Sequence, residues 1–141
     1  MINLKTLSSL AALMVLMSPS LATQTDNQPI LFDDLALECA PHVAASTLQA
    51  ITRTESGFNP YAIGVVRGSV KQPTTFAEAV ETAKALHEAG KNFSMGLAQI
   101  NRYNLAKYGL TYESVFDPCL NLRVGADILA AMSFLAEVEY S

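Results

Sequence analysis

Glu55 lies in the run Thr52-Arg53-Thr54-Glu55-Ser56-Gly57-Phe58-Asn59-Pro60, a setting in which a carboxyl group could hold and release a proton. Leu48, Ile51, Thr52 and Glu55 recur at i, i+3, i+4 and i+7, which predicts a carboxylate in line with the apolar face of a helix. Burial there disfavours the charged form, and the partial negative charge of a helix C-terminus pushes the same way. A carboxylic acid that keeps its proton near neutral pH can protonate the leaving oxygen of a glycosidic bond. The same residue at the edge of the stripe, paired with Arg53 or a backbone amide, would be an ordinary structural group. The spacing alone leaves both readings open. A second candidate is Gly96-Leu97-Ala98-Gln99-Ile100-Asn101. Its glycine lets backbone approach a ligand closely, and Gln99 and Asn101 carry paired donors and acceptors suited to amide and hydroxyl groups. Read alone, the segment is equally a turn into a helix, with Gln99 as a solvated side chain.

The elements that must position these groups are helical. A first helix is expected from Asp33 or Asp34 to about Cys39, stopped by Pro41. The next starts at a capping box with Ser46 as N-cap and Gln49 three residues on, and ends at Gly57. A loop of roughly seventeen residues follows, punctuated by Pro60, Gly64, Gly68 and Pro73 and carrying Arg67 and Lys71. A third helix is capped by Thr75 and Glu78 and closed by Gly90, with Phe76, Ala79, Val80, Ala83 and Leu86 inward. Asn101 to Lys107 reads as a short helix ended by Gly109. Asp117 and Pro118 read as N-cap and first residue of the last helix. Its inner face is Leu122, Ala126, Leu129 and Met132, with Gly125 allowing a close helix contact. No strand-like alternation persists beyond a few residues, so the expectation is a small all-α domain.

The 141 residues are 50% hydrophobic, and the excess sits at one end. Residues 1–22 show Lys5, an apolar run of roughly eleven residues from Leu7 to Met17, and a small-residue cleavage site ending at Ala22, the pattern of a secretion leader. The run is shorter than the roughly 20 residues that cross a bilayer, and no later segment is expected to be long and apolar enough to do so. Residues 23–32 are mostly polar and are expected to form a flexible mature N-terminus, and 33–141 the domain. After the leader the chain keeps eight basic and thirteen acidic residues, a net charge of −5. That balance argues against nucleic-acid and anionic-lipid partners. Export also means an oxidising compartment, so Cys39 and Cys119 are expected to pair across 80 residues. The rival reading is a metal held by Cys39-x-x-His42 with His87 and Cys119. It is set aside because structural sites normally show two close ligand pairs and here there is one.

Taken together, Glu55-Ser56-Gly57-Phe58-Asn59-Pro60 and Ser94-x-Gly96-Leu97-x-Gln99-Ile100-Asn101 resemble the lysozyme-like domain of soluble lytic transglycosylases. Cys39-Ala40-Pro41 and Phe116-Asp117-Pro118-Cys119-x-Asn121-Leu122-x-x-Gly125-Ala126-x-Ile128-Leu129 resemble one branch, the transglycosylase subunit of type IV secretion and conjugation systems. The resemblance covers roughly residues 35 to 130. It implies a lysozyme-like α fold in the periplasm that cleaves the β-1,4 bond between N-acetylmuramic acid and N-acetylglucosamine of peptidoglycan. The product implied is a 1,6-anhydro sugar, and the wall would be opened for the secretion apparatus, whose subunits are the implied partners. Glu55 corresponds to the catalytic acid and then base, and Ser56, Gln99 and Asn101 to substrate-binding positions. No metal or organic cofactor is implied, nor stable membrane insertion once the leader is removed. The family continues past Leu129 to a Tyr-Asn motif, whereas here Tyr140 precedes Ser141, so the expectation is a domain shortened at its C-terminus. The alternative is that another residue, such as Tyr61 or Tyr103, takes the role of that tyrosine. Two alternatives accompany this reading: an impaired peptidoglycan-binding or assembly module, and a hydrolase of lysozyme type that uses water.

Overall fold

The computed structural model describes residues 31–139. The expected leader, most of the expected flexible segment, and Tyr140 lie outside the described residues. In chain order the elements are α1 (Phe32–Cys39), α2 (Ala45–Ser56), β1 (Ile63–Val65), α3 (Phe76–Glu88), β2 (Phe93–Met95), β3 (Ile100–Asn101) and α4 (Pro118–Glu139). Short 3-10 turns occupy Arg102–Asn104, Ala106–Tyr108 and Ser114–Phe116. The fold is mostly helical, as the periodicity predicts.

The helix ends follow local chemistry, with one exception. Gly57 takes a left-handed conformation (φ 58°) and its N–H bonds back into the last turn of α2, as expected of a glycine after a helix. Thr75 Oγ1 accepts from the Glu78 N–H at 3.2 Å and starts α3. The Glu78 carboxylate turns to Thr74, accepting from its N–H at 2.8 Å and its hydroxyl at 2.9 Å. Asp117 caps α4 by accepting from the Leu120 N–H at 2.8 Å. The exception is the start of α2. Ala44, not Ser46, is the N-cap, and no side chain caps it. The Ala44 carbonyl already accepts from Thr47 and Leu48, so Ser46 and Gln49 fall inside the first turns and no capping box forms.

The long loop after α2 holds a strand that the sequence does not announce. β1, β2 and β3 form an antiparallel sheet in that order, with Ile63 opposite Met95, Val65 opposite Phe93, and Met95 opposite Ile100. Strands of two or three residues are too short to show alternation. The outer edge of β1 is closed by a side chain. Gln72 Nε2 donates to the Ile63 carbonyl at 2.8 Å and Gln72 Oε1 accepts from the Ile63 N–H at 3.0 Å, standing in for a neighbouring strand. The expected helix from Asn101 is instead two 3-10 turns ended by left-handed Gly109.

α4 joins the two cores. Val124 belongs to a cluster with Ile63, Phe93, Met95, Phe116 and Ala83, which packs the sheet against α3. Leu122 and Ala126 belong to a second cluster with Ala36, Ala40 and Leu48 from α1 and α2. The Cys39–Cys119 disulfide ties the end of α1 to the start of α4, with the two Cα atoms 5.2 Å apart. Beside it Arg123 Nε donates to the Cys39 carbonyl at 3.2 Å. With both cysteines in the bridge, His42 pairs with Asp127 at 2.9 Å, and His87 Nδ1 contacts Arg102 and Tyr112.

Three expectations for α4 need correction. Gly125 is in close contact with Ala98 in the turn between β2 and β3, not with another helix. Met132, expected inward, is 64% exposed because the core ends before it. The helix is also long and apolar enough, by length and composition, to cross a membrane, contrary to the expectation for segments after the leader. Its apolar character is divided between a buried first half and an exposed second half that carries Phe134 and Leu135.

Replacing both cysteines by alanine is expected to lower unfolding free energy by about 2–5 kcal/mol, the usual cost of removing a native disulfide from a small secreted domain. Urea unfolding with an unchanged midpoint would contradict that. Glu78 gives a second expectation. The Thr74 N–H, then the Thr74 hydroxyl, hold its carboxyl below the ordinary value of 4.5. A group depressed in the folded state contributes stability above its unfolded pKa that is lost as pH falls through the folded value. Melting temperature followed from neutral pH to below pH 4.5 should therefore fall less steeply for Glu78→Gln than for the parent. Parallel curves would contradict it.

Candidate functional site

Glu55 stands in the last turn of α2, one turn beyond Thr52. Leu48 and Thr52 are buried, but the apolar contact ends there and Glu55 is exposed. The expected burial of its carboxylate is therefore not present in the free protein. The stripe delivers Glu55 past the core to the mouth of a cleft.

That cleft consists of two cavities that meet at the same pair of residues. One, of about 370 Å³, lies between α2, α4 and the β2–β3 turn and is walled by Leu48, Ile51, Thr52, Leu122, Ile128 and Leu129. The other, of about 290 Å³, lies between the end of α2 and β1, beside Ser56, Asn59, Gly64 and Gln72. Glu55 and Gln99 border both. Among the described residues, Glu55 is the one carboxylate that lines either cavity.

Gln99 is built into the wall rather than solvated. Its backbone is left-handed (φ 49°), and its Nε2 donates to the Ala62 carbonyl at 3.0 Å and to the Gly96 carbonyl at 2.9 Å. Both amide hydrogens are thus engaged inside the protein, and Oε1 is the atom left to accept. Gly64 makes room for it: a Cβ there would lie 2.7 Å from Gln99 Oε1. The glycine of β1 is needed for this close approach.

The other expected site residues are engaged in different ways. Ser56 borders the smaller cavity, and its hydroxyl donates to the Thr52 carbonyl at 3.0 Å. Asn101 borders the larger cavity and caps the following 3-10 turn, its Oδ1 accepting from the Tyr103 N–H at 3.1 Å. Its Nδ2 donates to Asn92 Oδ1 at 2.8 Å, so its amide braces β3 against the start of β2. Tyr61 packs against the sheet core, and Tyr103 is 65% exposed beneath the Arg102 guanidinium. No tyrosine among the described residues lines either cavity.

Sequence reasoning assigned no role to Asn121, yet this residue sets the shape of the cleft. It is 1% exposed. Its Nδ2 donates to the Met95 carbonyl at 2.9 Å and the Val115 carbonyl at 2.8 Å, and its Oδ1 accepts from the Ala98 N–H at 2.7 Å. The amide therefore grips both ends of the turn that presents Gln99. Gly96 (φ 79°) packs directly on this amide, and a methyl group there would collide with it. Its one sequence signal was its place in the run that also holds the Asp117-Pro118 cap.

Residues 35–134 match the family described as Transglycosylase SLT domain. The chain belongs to that family. The SLT domain thus takes in the whole cleft, with Glu55, Gln99 and Asn121. The chain is 59% identical over 96 residues to "Type IV secretion system protein virB1" of Brucella abortus biovar 1, covering 67% of this chain and 40% of that protein. It is 38% identical over 101 residues to "Protein virB1" of Agrobacterium fabrum, covering 71% and 41%. It is 35% identical over 122 residues to "Protein virB1" of Rhizobium radiobacter, covering 86% and 50%. The chain therefore spans half or less of the length of these relatives. No solved structure matches it.

Asn121→Ala would leave the Ala98 N–H and the carbonyls of Met95 and Val115 without their partner. At about 1–3 kcal/mol for each buried polar group left unmatched, the variant should lose roughly 3 kcal/mol or more. A loss under about 1 kcal/mol by urea unfolding would contradict the clamp.

Proposed function

We propose that this protein is an exported lytic transglycosylase of peptidoglycan, acting in the periplasm to open the wall for a type IV secretion or conjugation apparatus. Residues 1–22 serve as the leader and 33–141 as the transglycosylase domain in this reading. Membership of the SLT domain family supports the activity, and the printed names of the relatives support the apparatus. The observation that carries it is a cleft in which Glu55 is the one lining carboxylate, opposite Gln99.

One carboxylate restricts the chemistry. Most glycosidases flank the scissile bond with two, the second acting as nucleophile or activating a water. Here the substrate supplies the missing group. Glu55 gives its proton to the leaving O4 of N-acetylglucosamine as the bond to C1 of N-acetylmuramic acid breaks. The ionised Glu55 then takes the proton of the muramic acid C6 hydroxyl as O6 bonds to C1. The product is a 1,6-anhydro end, and Glu55 regains its proton without any water being consumed.

The exposure of Glu55 in the free protein fits a site completed by its substrate. A glycan lying across both cavities would strip water from the carboxyl group and favour its protonated form. Gln99 Oε1 would accept from a sugar hydroxyl, with Ser56 and Asn101 bordering the two sides. A second reading, a glycan-binding or assembly module with little turnover, is favoured by one observation. No tyrosine among the described residues stands in the cleft to orient Glu55.

Incubation with purified sacculi tests the proposal. The parent should release 1,6-anhydromuropeptides at a rate about 100-fold or more above Glu55→Gln, the usual weight of a general acid. Reducing ends in place of anhydro ends would identify water as the nucleophile. Equal release by parent and variant would overturn the enzymatic reading.

A further inference from the structure

Arg102 is a charge that the proposed reaction does not use. Its side chain is half-buried, yet it belongs to neither ion pair found among the described residues, His42–Asp127 and Lys84–Glu113. Its neighbours are aromatic rings. The guanidinium carbon lies 4.7 Å from the centre of the Tyr103 ring and 6.0 Å from that of the buried Phe93, and Nη1 lies 3.3 Å from His87 Nδ1. An arginine can only donate, so the histidine nitrogen is the acceptor, and four of the five N–H donors make no bond to a described residue. A cation taken partly out of water without a counter-charge is costly. Stacking on aromatic faces offsets part of that cost and fixes the plane of the guanidinium.

The position of this charge gives it a use. Arg102 and Tyr103 form the short turn between Asn101 and Asn104, and both asparagines border the larger cavity. Asn101 Oδ1 holds the start of the turn by accepting from the Tyr103 N–H at 3.1 Å. A glycan that runs past Glu55 and Gln99 and leaves by Asn101 and Asn104 passes this turn. No lysine or arginine lines either cavity, so the cleft itself offers no cation to an acidic group. Peptidoglycan is a polymer of neutral sugar rings in which acid groups hang from one sugar of each pair, muramic acid, through its lactyl ether. The carboxylate is the lactyl group's own where the glycan is bare, or one on the peptide that the lactyl group carries. Either is a planar anion that a fixed guanidinium can grip through two parallel N–H bonds.

We propose that Arg102, seated on Tyr103, forms a carboxylate-recognising subsite outside the two cavities, which selects glycan bearing acid groups over uncharged glycan of the same length. The subsite rests on the glycan-cleaving reading above. It meets the substrate away from the scissile bond, so it acts on binding and register and not on the proton transfers of Glu55. Tyr103 then serves as the seat of the guanidinium, not as a partner of Glu55.

The test is calorimetric titration of the Glu55→Gln protein, which should bind without turnover, with three tetrasaccharides. They are the tetramer of N-acetylglucosamine, the bare alternating tetramer of N-acetylglucosamine and N-acetylmuramic acid, and the same alternating tetramer carrying stem peptides. At low salt the acidic ligands should bind about tenfold more tightly than the uncharged one, the usual weight of a hydrogen bond to a charged group. A gain already present with the bare tetramer assigns the contact to the lactyl carboxylate, and a gain confined to the peptide-bearing tetramer assigns it to the peptide. Adding Arg102→Gln should abolish the gain and leave the affinity for the uncharged tetramer unchanged, which also shows that the variant folds. Tyr103→Phe, which keeps the ring beneath the guanidinium, should keep the gain. Added salt should shrink it.

Equal affinity for all three ligands would overturn the inference, as would a gain that survives Arg102→Gln or ignores salt. If Arg102→Gln weakens all three ligands alike, the residue is structural and the subsite falls. These failures are separable from failure of the enzymatic reading. Release from sacculi that depends on Glu55, together with no preference for acidic glycan, leaves catalysis standing and removes the subsite. Equal release by the parent and Glu55→Gln, or binding of none of the tetrasaccharides, overturns the glycan-cleaving reading itself.

Discussion

The side-chain amide of Asn121 holds the turn between β2 and β3 against α4, and the geometry of the cleft depends on that grip. Three backbone groups far apart in sequence converge on it: the Met95 carbonyl, the Ala98 N–H and the Val115 carbonyl. Met95 ends β2, Ala98 lies in the turn and Val115 in a 3-10 turn, so one buried amide joins three separate segments. Gly96 follows as a requirement, because a side chain there would displace the amide. Gln99 follows in turn, since the turn that Asn121 fixes ends in its left-handed backbone and aims its Nε2 at Ala62 and Gly96.

The opposite wall is set by α2, and α4 keeps the two walls in register. Leu48 and Thr52 seat α2 against the α1 and α4 side, while the left-handed Gly57 ends the helix just after Glu55. The disulfide anchors the start of α4 to α1, and α1 packs against both α2 and α4, so the two helices that wall the cleft share one support. Glu55 and Gln99 consequently meet across a gap whose width is fixed by buried contacts on both sides. Thr52 is the exception within that packing, a buried hydroxyl left without an internal partner at the edge of the gap.

Much of this was legible in the sequence, and what was not has a common cause. The ends of α2, α3 and α4 were readable because Gly57, Thr75 with Glu78, and Asp117 with Pro118 act through bonds within a few residues of themselves. The Cys39–Cys119 pairing was readable from the expected leader and the lack of other thiols. The start of α2 was misplaced because the Ala44 carbonyl carries no side-chain signature. The sheet was missed because its strands are shorter than one period of alternation, and its edge is closed by Gln72, nine residues from Ile63. Glu55 and Gln99 were legible as chemistry and less so as geometry. Periodicity put Glu55 on an apolar stripe but could not show that the core stops at Thr52. Asn121 lies 23 residues from the amide it accepts from and 26 from a carbonyl it donates to, a relation that no local pattern encodes.

Asn121 holds the Gln99 turn in place in the free protein. Native-state hydrogen exchange of the Ala98 amide tests this most directly, because that N–H donates to Asn121 Oδ1 and to no strand or helix. If the clamp is permanent, the Ala98 amide opens only with the whole domain and exchanges as slowly as the buried amides in the first half of α4. Exchange at the rate of an open loop, in a protein whose α4 amides remain protected, would show that the turn moves freely and would contradict the account.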